Sequence, residues 1–344
     1  MNSRTNPYTL TFGRIPPSLV QRDFQLNDII DCFLSDSPIY QMCMIAGIRG
    51  SGKTVALTTV ANRFEELGGW IIVNLNPERN LIYDLMCELS SRKELLNIFN
   101  NAKLNISTLG IDIEISNRSN NNDVTLLRKM LQNISKSGRR VLVTVDEVTP
   151  NKNIKEFASQ IQIFIRENIN IFLLMSGLYE NVYNLQNEST LTFLYRAPKV
   201  QLNPLNEILM AKSYRENLDL DKQEAETMAR FTKGYAFAFQ VLGYLCFKND
   251  SGLEDNIEEF DAYMSEYVYE KIWSECSNKD KLVLSKISNY SKKVEDILSQ
   301  LTMSSSLFSV YRDRLIKKGL VVSKTYGMLE LTLPRFEEYM KMVL

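Results

Sequence analysis

Short apolar segments alternate with segments of helical periodicity between residues 41 and 202. The apolar segments are five to seven residues long, and residues 54–64 between the first two have helical spacing. Short apolar strands that alternate with helices are typical of a parallel sheet covered by helices on both faces. The pattern therefore predicts an α/β fold with strands at 41–46, 70–76, 141–145, 171–175 and 197–202.

The strand pattern ends near residue 204, where helices and a different charge balance begin. Residues 207–275 carry seven basic and fifteen acidic side chains, a net charge of −8, whereas residues 279–341 carry twelve basic and seven acidic, a net charge of +5. A change of this size indicates a domain boundary near Ser277. We therefore predict an α/β nucleotide-binding domain at 1–203, a helical lid domain at 204–276 and a C-terminal domain at 277–344.

The C-terminal domain has the pattern of three helices, at 281–290, 294–301 and 307–318, followed by a hairpin at 320–333. This order predicts a winged helix-turn-helix, a motif whose third helix can enter the DNA major groove. The alternatives are a winged helix that serves only for protein contacts, or a basic helix face that is merely solvated. Asp313 also lies among the basic residues. The candidate DNA-contacting residues are Ser309, Arg312, Arg314, Lys317, Lys318 and Lys324.

Residues 100–122 interrupt the α/β pattern. Apolar and acidic side chains alternate over 111–115, which indicates a half-exposed strand. The polar run 117–122 indicates a mobile loop before a helix at 124–135.

The first predicted strand leads into Gly-Ile-Arg-Gly-Ser-Gly-Lys-Thr, a complete phosphate-loop pattern. The glycines let backbone amides surround a polyphosphate, Lys53 can neutralise the β and γ phosphates, and the Thr54 hydroxyl can bind Mg²⁺. We therefore predict ATP or ADP and Mg²⁺ as cofactors. The predicted nucleotide-binding residues of this segment are Gly47, Ile48, Arg49, Gly50, Ser51, Gly52, Lys53, Thr54 and Val55.

Polar side chains follow the third and fourth predicted strands. Asp146 comes directly after strand 141–145 and is the predicted Mg²⁺ ligand, and Glu147 is the predicted base for the attacking water. Ser176 follows strand 171–175, where its hydroxyl can lie near the γ-phosphate. The alternative for Ser176 is a Ser-Gly turn that merely ends a strand.

Arg196 lies just before the fifth predicted strand. From this position it can reach the nucleotide of a neighbouring subunit and stabilise transition-state charge as an arginine finger, which would require a nucleotide-dependent homo-oligomer. The alternative is a surface arginine paired with a carboxylate.

Composition excludes several functions. The chain has 344 residues, a net charge of −1 and no histidine, so histidine-based catalysis and histidine–zinc sites are ruled out. Its five scattered cysteines form no C-x-x-C pair and favour reduced thiols. We expect a soluble, cytoplasmic protein, because neither a signal peptide nor an apolar segment long enough to cross a membrane is visible.

Taken in order, these motifs resemble the AAA+ superfamily, in particular prokaryotic ATPases related to the origin-recognition and STAND branches. The resemblance covers nearly the whole chain. It implies that residues 12–17 with Arg22 lie against the adenine. It also implies that Lys53 and Thr54 are the Walker A residues, Asp146 and Glu147 the Walker B pair, and Ser176 the first sensor.

The chain departs from these relatives at three places. Gln21-Arg22 replaces Gly-Arg, Gly234-Tyr235-Ala236 replaces Gly-x-Pro, and no arginine stands for the second sensor, Lys233 being the nearest basic residue. These departures fit a slow switch or a nucleotide retained for structural reasons. Three functions stay open: an ATP-driven switch, a DNA-binding module, and a signalling or defence ATPase that contacts proteins. A protein-remodelling ATPase ranks last, because no aromatic pore loop is visible.

Overall fold

The computed structural model of the chain describes residues 5–11, 13–102 and 120–344, with only the backbone for residues 120 and 121. The strand predicted at 111–115 lies outside the described residues, as does Phe12. The loop prediction was wrong at residues 120–122, where a helix already begins. Asn and Asp are favoured at helix N-termini, which explains why an Asn-rich run followed by Asp123 starts a helix.

The described residues divide into two compact units. The sheet unit comprises Asp23–Ala46 and Lys53–Gln201, and the helical unit comprises Met1–Arg22, Gly47–Gly52 and Leu202–Leu344. Among the described residues, no helix is both long and apolar enough to cross a lipid bilayer. All five cysteines are free thiols.

A five-stranded parallel sheet forms the centre of the sheet unit, which confirms the predicted fold class. Its order is β2-β3-β4-β1-β5. All residues of β1 and β4 are buried, as expected for central strands of a parallel sheet. The strands are β1 (Met42–Ala46), β2 (Trp70–Leu75), β3 (Arg140–Val145), β4 (Ile171–Gly177) and β5 (Lys199–Gln201).

The helices of the sheet unit pack their apolar faces against these strands. In the helix that begins at Lys53, the buried side chains include Ala56, Leu57, Val60 and Phe64, at the spacing of one helix face. The helices are α1 (Asp23–Leu34), α2 (Lys53–Leu67), α3 (Leu81–Ser91), α4 (Lys93–Asn101), α5 (Asn120–Lys136), α6 (Lys152–Arg166) and α7 (Tyr179–Gln186), followed by a 3₁₀ helix at Ser189–Arg196.

The helical unit has one continuous core that runs from residue 205 into the C-terminal region. The chain joins consecutive helices by short turns, and a π-helical turn at Ser265–Tyr269 lies between the fourth and fifth helices after residue 205. The helices before Ser277 are α8 (Glu207–Leu218), α9 (Lys222–Phe231), α10 (Ala236–Asn249), α11 (Leu253–Met264) and α12 (Glu270–Ser274).

The C-terminal region contains four helices and a small antiparallel sheet of order β6-β8-β7, whose short strand β6 lies between the first two helices. Ser277 and Asp280 form a capping box at the first helix, which begins three residues earlier than its apolar pattern predicts. Ser304 caps the third helix, which ends before Gly319 in the left-handed conformation. The elements are α13 (Asn278–Leu284), β6 (Lys292–Lys293), α14 (Val294–Ser299), α15 (Ser305–Lys317), β7 (Val321–Val322), β8 (Met328–Leu331) and α16 (Phe336–Val343).

Candidate nucleotide-binding site

Asp146 is the centre of a hydrogen-bond cluster in the sheet unit. Its Oδ2 accepts from the Thr54 hydroxyl at 2.5 Å, and its Oδ1 accepts from the Ser176 hydroxyl. Val145 pairs with Met175 in the register of β3 and β4, which brings the next residue of each strand to the same edge of the sheet. Both carboxylate oxygens are therefore held by hydroxyl groups that the sequence predicts for the same site.

The donor set around Asp146 fits Mg²⁺. The Thr54 hydroxyl and the Asp146 carboxylate are hard oxygen ligands, and Mg²⁺ is usually held by one or two protein groups plus phosphate oxygens and water. Among the residues that the structure describes, no cluster of three or more His, Cys, Asp or Glu side chains forms a complete metal cage. A Mg²⁺ ion held by Thr54 and Asp146 would therefore also need phosphate oxygens as ligands.

Glu147 has an unusual backbone at the end of β3. Its φ is 53°, in the left-handed region that side chains other than glycine rarely adopt. Its amide donates to Asp146 Oδ1 at 2.9 Å, and the Val148 amide donates to the Ser176 carbonyl at 2.8 Å. The turn thus leaves the Glu147 side chain exposed. Non-glycine residues in this conformation cluster at functional sites.

Arg196 is the last residue of the 3₁₀ helix and is exposed. In the part of the chain that the structure describes, it makes no ion pair with a carboxylate. The surface ion pair, which was the alternative for this residue, is therefore not formed there.

The phosphate-loop residues 47–52 belong to the helical unit, and Lys53 begins α2 in the sheet unit. Three consecutive loop carbonyls accept hydrogen bonds within the helical unit. The Arg49 carbonyl accepts from the Tyr235 hydroxyl. The Gly50 carbonyl accepts from the Phe237 amide at 3.1 Å, and the Ser51 carbonyl accepts from the Arg22 guanidinium at 3.0 Å.

Holding a carbonyl also orients the amide of the next residue. In a trans peptide the C=O and N–H groups point in opposite directions, and every described peptide bond is trans. The amides of Gly50 and Gly52 therefore point away from the groups that hold the carbonyls, whereas the Ser51 amide donates to the Ile48 carbonyl at 3.2 Å. Gly50 and Gly52 have φ values of +73° and +90°. Successive amides in such a turn form a concave anion-binding nest.

Only glycine fits at position 50, because Tyr235 packs directly against it. A Cβ at this position would overlap the Tyr235 hydroxyl, and it would lie 3.1 Å from Cβ of Phe237. Because the backbone is also left-handed there, any other residue would displace the tyrosine.

Ser51 carries an unsatisfied polar atom. The residue is 6% exposed, and within the described structure its hydroxyl has no hydrogen-bond partner. A buried hydroxyl is normally paired, so an orphan one inside a phosphate loop fits a missing acceptor such as a phosphate oxygen. This observation, together with the donors around Asp146, supports nucleotide as the cofactor.

Arg22 contacts backbone carbonyls. Its guanidinium donates to the carbonyls of Ser51 and Asn203. Burial lowers the pKa of Arg22 to about 10, so the side chain stays charged at neutral pH. These contacts hold the phosphate loop, and the predicted contact of this region with adenine stays a prediction.

Ile48 and Arg49 face other parts of the helical unit. A Cβ on Gly319 would lie 2.5 Å from Cγ2 of Ile48, so glycine lets the two segments meet. Arg49 lies 3.8 Å from the Glu275 carboxylate, and this exposed pair adds little stability. Their side chains are therefore engaged elsewhere, and Ile48 and Arg49 are predicted to contribute to phosphate binding through their backbone.

Sequence reasoning missed Tyr235 and Phe237. A signal existed, since Tyr235 is the central residue of the segment that replaces Gly-x-Pro. Its hydrogen bond to Arg49 could not be read from spacing, because the two residues are 186 positions apart.

Comparison with known proteins identifies the fold. The family profile that matches is described as a domain of unknown function (DUF8462) and covers residues 266–340, less than a quarter of the chain. No curated protein sequence matches.

Several solved structures are similar over almost the whole chain. The Walker-type ATPase PABY2304 of Pyrococcus abyssi has a TM-score of 0.62 and 14% identity, over 94% of this chain and 96% of that one. The ORC2 protein of Aeropyrum pernix, solved as ADPNP–ADP complexes, has a TM-score of 0.61 and 16% identity over 97% and 96%. Cdc6p of Pyrobaculum aerophilum has a TM-score of 0.50 and 13% identity over 97% and 96%. The chain therefore has the AAA+ fold of archaeal ORC and Cdc6 proteins.

Proposed function

We propose that the protein is a nucleotide-dependent switch that binds ATP with Mg²⁺ and hydrolyses it slowly. The observation that carries this proposal is the Asp146 carboxylate, whose two oxygens accept hydrogen bonds from Thr54 and Ser176. These residues come from the helix after the phosphate loop and from two adjacent strand ends. That is where a phosphate-loop ATPase needs its metal-binding acid and its polar sensor.

Each residue then has a defined task. The amides of Gly50 and Gly52 and the Lys53 ammonium bind the β and γ phosphates. Thr54 and Asp146 hold Mg²⁺, which neutralises phosphate charge when it is bound. Glu147 orients the attacking water and accepts its proton, because no histidine is present to do so. Ser176 keeps the Asp146 carboxylate in place and reads the γ-phosphate.

Slow hydrolysis is supported by Lys233, the nearest basic residue to the missing second sensor. Its ammonium donates to the carbonyls of Asn289 and Leu331, at 2.5 and 2.9 Å. A cation engaged by two carbonyls is not directed at a phosphate. Arg196 is left as the residue that would stabilise transition-state charge, acting on a nucleotide of a second copy of the chain.

The C-terminal region is proposed to be a winged helix, since α13, α14 and α15 are followed by the β7–β8 hairpin, to which β6 adds a third antiparallel strand. A protein partner is favoured over duplex DNA, because α15 and the hairpin use their cations internally. Arg314 lies 2.9 Å from the buried Asp280, and Arg312 lies 2.8 Å from Asp313. Lys324 pairs with Glu330 at 2.7 Å. The exposed face of α15 also presents Val310, which is 62% exposed.

The test of nucleotide binding compares the wild type with Lys53→Ala. Fluorescence titration with an ATP analogue should give an affinity at least about 100-fold weaker in Lys53→Ala, since the ammonium neutralises two phosphates. Lys152→Ala, which removes an exposed lysine of α6, should bind as the wild type does. Equal affinities of wild type and Lys53→Ala would disprove the proposal.

Hydrolysis is tested with Glu147→Gln. This variant should bind ATP with unchanged affinity and release phosphate at a rate lower by about 100-fold or more. Phosphate release at the wild-type rate would remove Glu147 from its proposed task.

A further inference from the structure

The segment 233–237 touches two functionally different parts of the helical unit. Its tyrosine and Phe237 amide hold two consecutive phosphate-loop carbonyls. Its lysine donates to Asn289, just before β6, and to Leu331 at the end of β8. The same five residues are therefore bonded both to the phosphate loop and to the C-terminal sheet.

The backbone of this segment is held in an unusual conformation at its first two residues. Lys233 and Gly234 are both left-handed, with φ values of 51° and 72°. A Cβ on Gly234 would lie 2.6 Å from Cβ of Pro204, and the Gly234 carbonyl accepts from the Leu205 amide at 2.8 Å. A turn fixed in this way transmits a displacement at one end to the other, because it has few alternative conformations.

Both contacts are at least partly buried. Tyr235 is 5% exposed, and burial raises its pKa well above the ordinary value. Burial also lowers the pKa of Lys233, against the opposing effect of Glu330, Glu337 and Glu338. A hydrogen bond in such surroundings is costly to lose, since the partner carbonyl is left without water to replace the donor.

We propose that Tyr235 is a positioning residue of the phosphate loop, and that Lys233 makes its position depend on the C-terminal sheet. This inference rests on the proposed nucleotide site and adds its regulation. Docking of the C-terminal sheet on Lys233 stabilises the turn, the turn holds the Arg49 carbonyl, and the following amides stay oriented for phosphate. A partner that displaced the C-terminal sheet would weaken nucleotide binding, and nucleotide binding would oppose that displacement to the same extent.

The experiment measures amide hydrogen exchange of residues 47–54 in the full chain without nucleotide. Tyr235→Phe removes one hydroxyl and keeps the ring, and Lys233→Met removes the ammonium and keeps much of the side-chain volume. In both variants we expect exchange of the loop to be about fivefold to tenfold faster, as the loss of one buried hydrogen bond implies.

Two matched variants separate this effect from general destabilisation. Tyr214→Phe also removes a buried tyrosine hydroxyl that donates to a carbonyl, that of Phe239 at 2.9 Å, but it does not touch the loop. Lys233→Arg keeps a cation with donors. Loop exchange in both should remain at the wild-type rate.

Nucleotide affinity gives the second readout. Tyr235→Phe and Lys233→Met should bind the ATP analogue about threefold to tenfold more weakly, and Tyr214→Phe should not. Wild-type loop exchange in Tyr235→Phe or in Lys233→Met overturns this inference while the Lys53→Ala result still supports the nucleotide site. Absence of ATP binding by the wild type overturns both.

Discussion

Asp146 and the third C-terminal helix α15 show two opposite uses of charge. Around Asp146, two hydroxyl groups and one amide converge on a single carboxylate, and no cation neutralises it among the described residues. Along α15, the cations lie next to acids of their own domain: Arg312 beside Asp313 and Arg314 beside Asp280. One region keeps a charge available for a ligand, and the other cancels its charges internally.

The comparison teaches that net charge and available charge differ. The C-terminal segment has a net charge of +5, yet much of it is paired. Pairing with a buried acid also fixes a side chain, which costs it the freedom to reach a phosphate. Asp146, the proposed metal ligand, in contrast accepts hydrogen bonds from two neutral hydroxyl groups, which cancel none of its charge.

Replacement of Asp146 with asparagine tests the first half of this comparison and should have the largest effect. The amide keeps the shape but loses the charge, so ATP hydrolysis should fall by about 1000-fold, on the order of the loss expected for a metal-binding group. The rate of phosphate release at saturating ATP and Mg²⁺ measures it. Glu66→Gln, at the far end of α2, serves as the control and should hydrolyse ATP at the wild-type rate. Activity of Asp146→Asn within tenfold of the wild type would contradict the assignment.

Much of the Asp146 region was predictable, because local patterns determine it. Apolar segments fixed the strands to within two residues, and a polar residue after a buried parallel strand must emerge at the carboxyl edge of the sheet. The helical spacing over residues 54–64 predicted α2, which begins one residue earlier, at Lys53. The left-handed backbone of Glu147 could not be predicted from local sequence. It accompanies a hydrogen bond from the Val148 amide to the Ser176 carbonyl, on a different strand.

The pairing in the C-terminal region was not predictable from charge counts. Arg314 and Asp280 are 34 residues apart, and they meet only because α13 and α15 pack together. A partial signal was present, because Ser277 and Asp280 have the spacing of a capping box, which places an acid at a helix start. The hydrogen bonds of Tyr235 and Lys233 belong to the same class, since each joins segments that are distant in sequence.

Asp280→Ala tests the second half of the comparison and should mainly lower stability. Asp280 is fully buried, caps α13 and lies beside Arg314 and Lys318. Its loss removes the capping box and leaves a partly buried cation without its acid, so the free energy of unfolding should fall by about 3 kcal/mol. Urea denaturation followed by circular dichroism measures the change. Asp296→Ala, which removes an exposed acid from the first turn of α14, should cost below about 1 kcal/mol. A cost below about 1 kcal/mol for Asp280→Ala as well would mean that the pair is not formed.

The smallest effect is expected for the cations of α15 on duplex DNA. Because Arg312 and Arg314 are paired with acids, the variant Arg312→Ala/Arg314→Ala/Lys317→Ala should change the affinity for a duplex by less than about threefold at physiological salt. Asp313→Asn, which frees Arg312, should strengthen binding by no more than a similar factor, since one added phosphate contact contributes little at that salt concentration.

Titrations of duplex DNA at several salt concentrations test whether these cations contact phosphates. A wild-type affinity that falls steeply with salt, and a slope reduced by about three contacts in the triple variant, would show that these cations bind phosphates in spite of their acidic neighbours. The C-terminal region would then be a DNA-binding domain, and the preference for a protein partner would have to be abandoned.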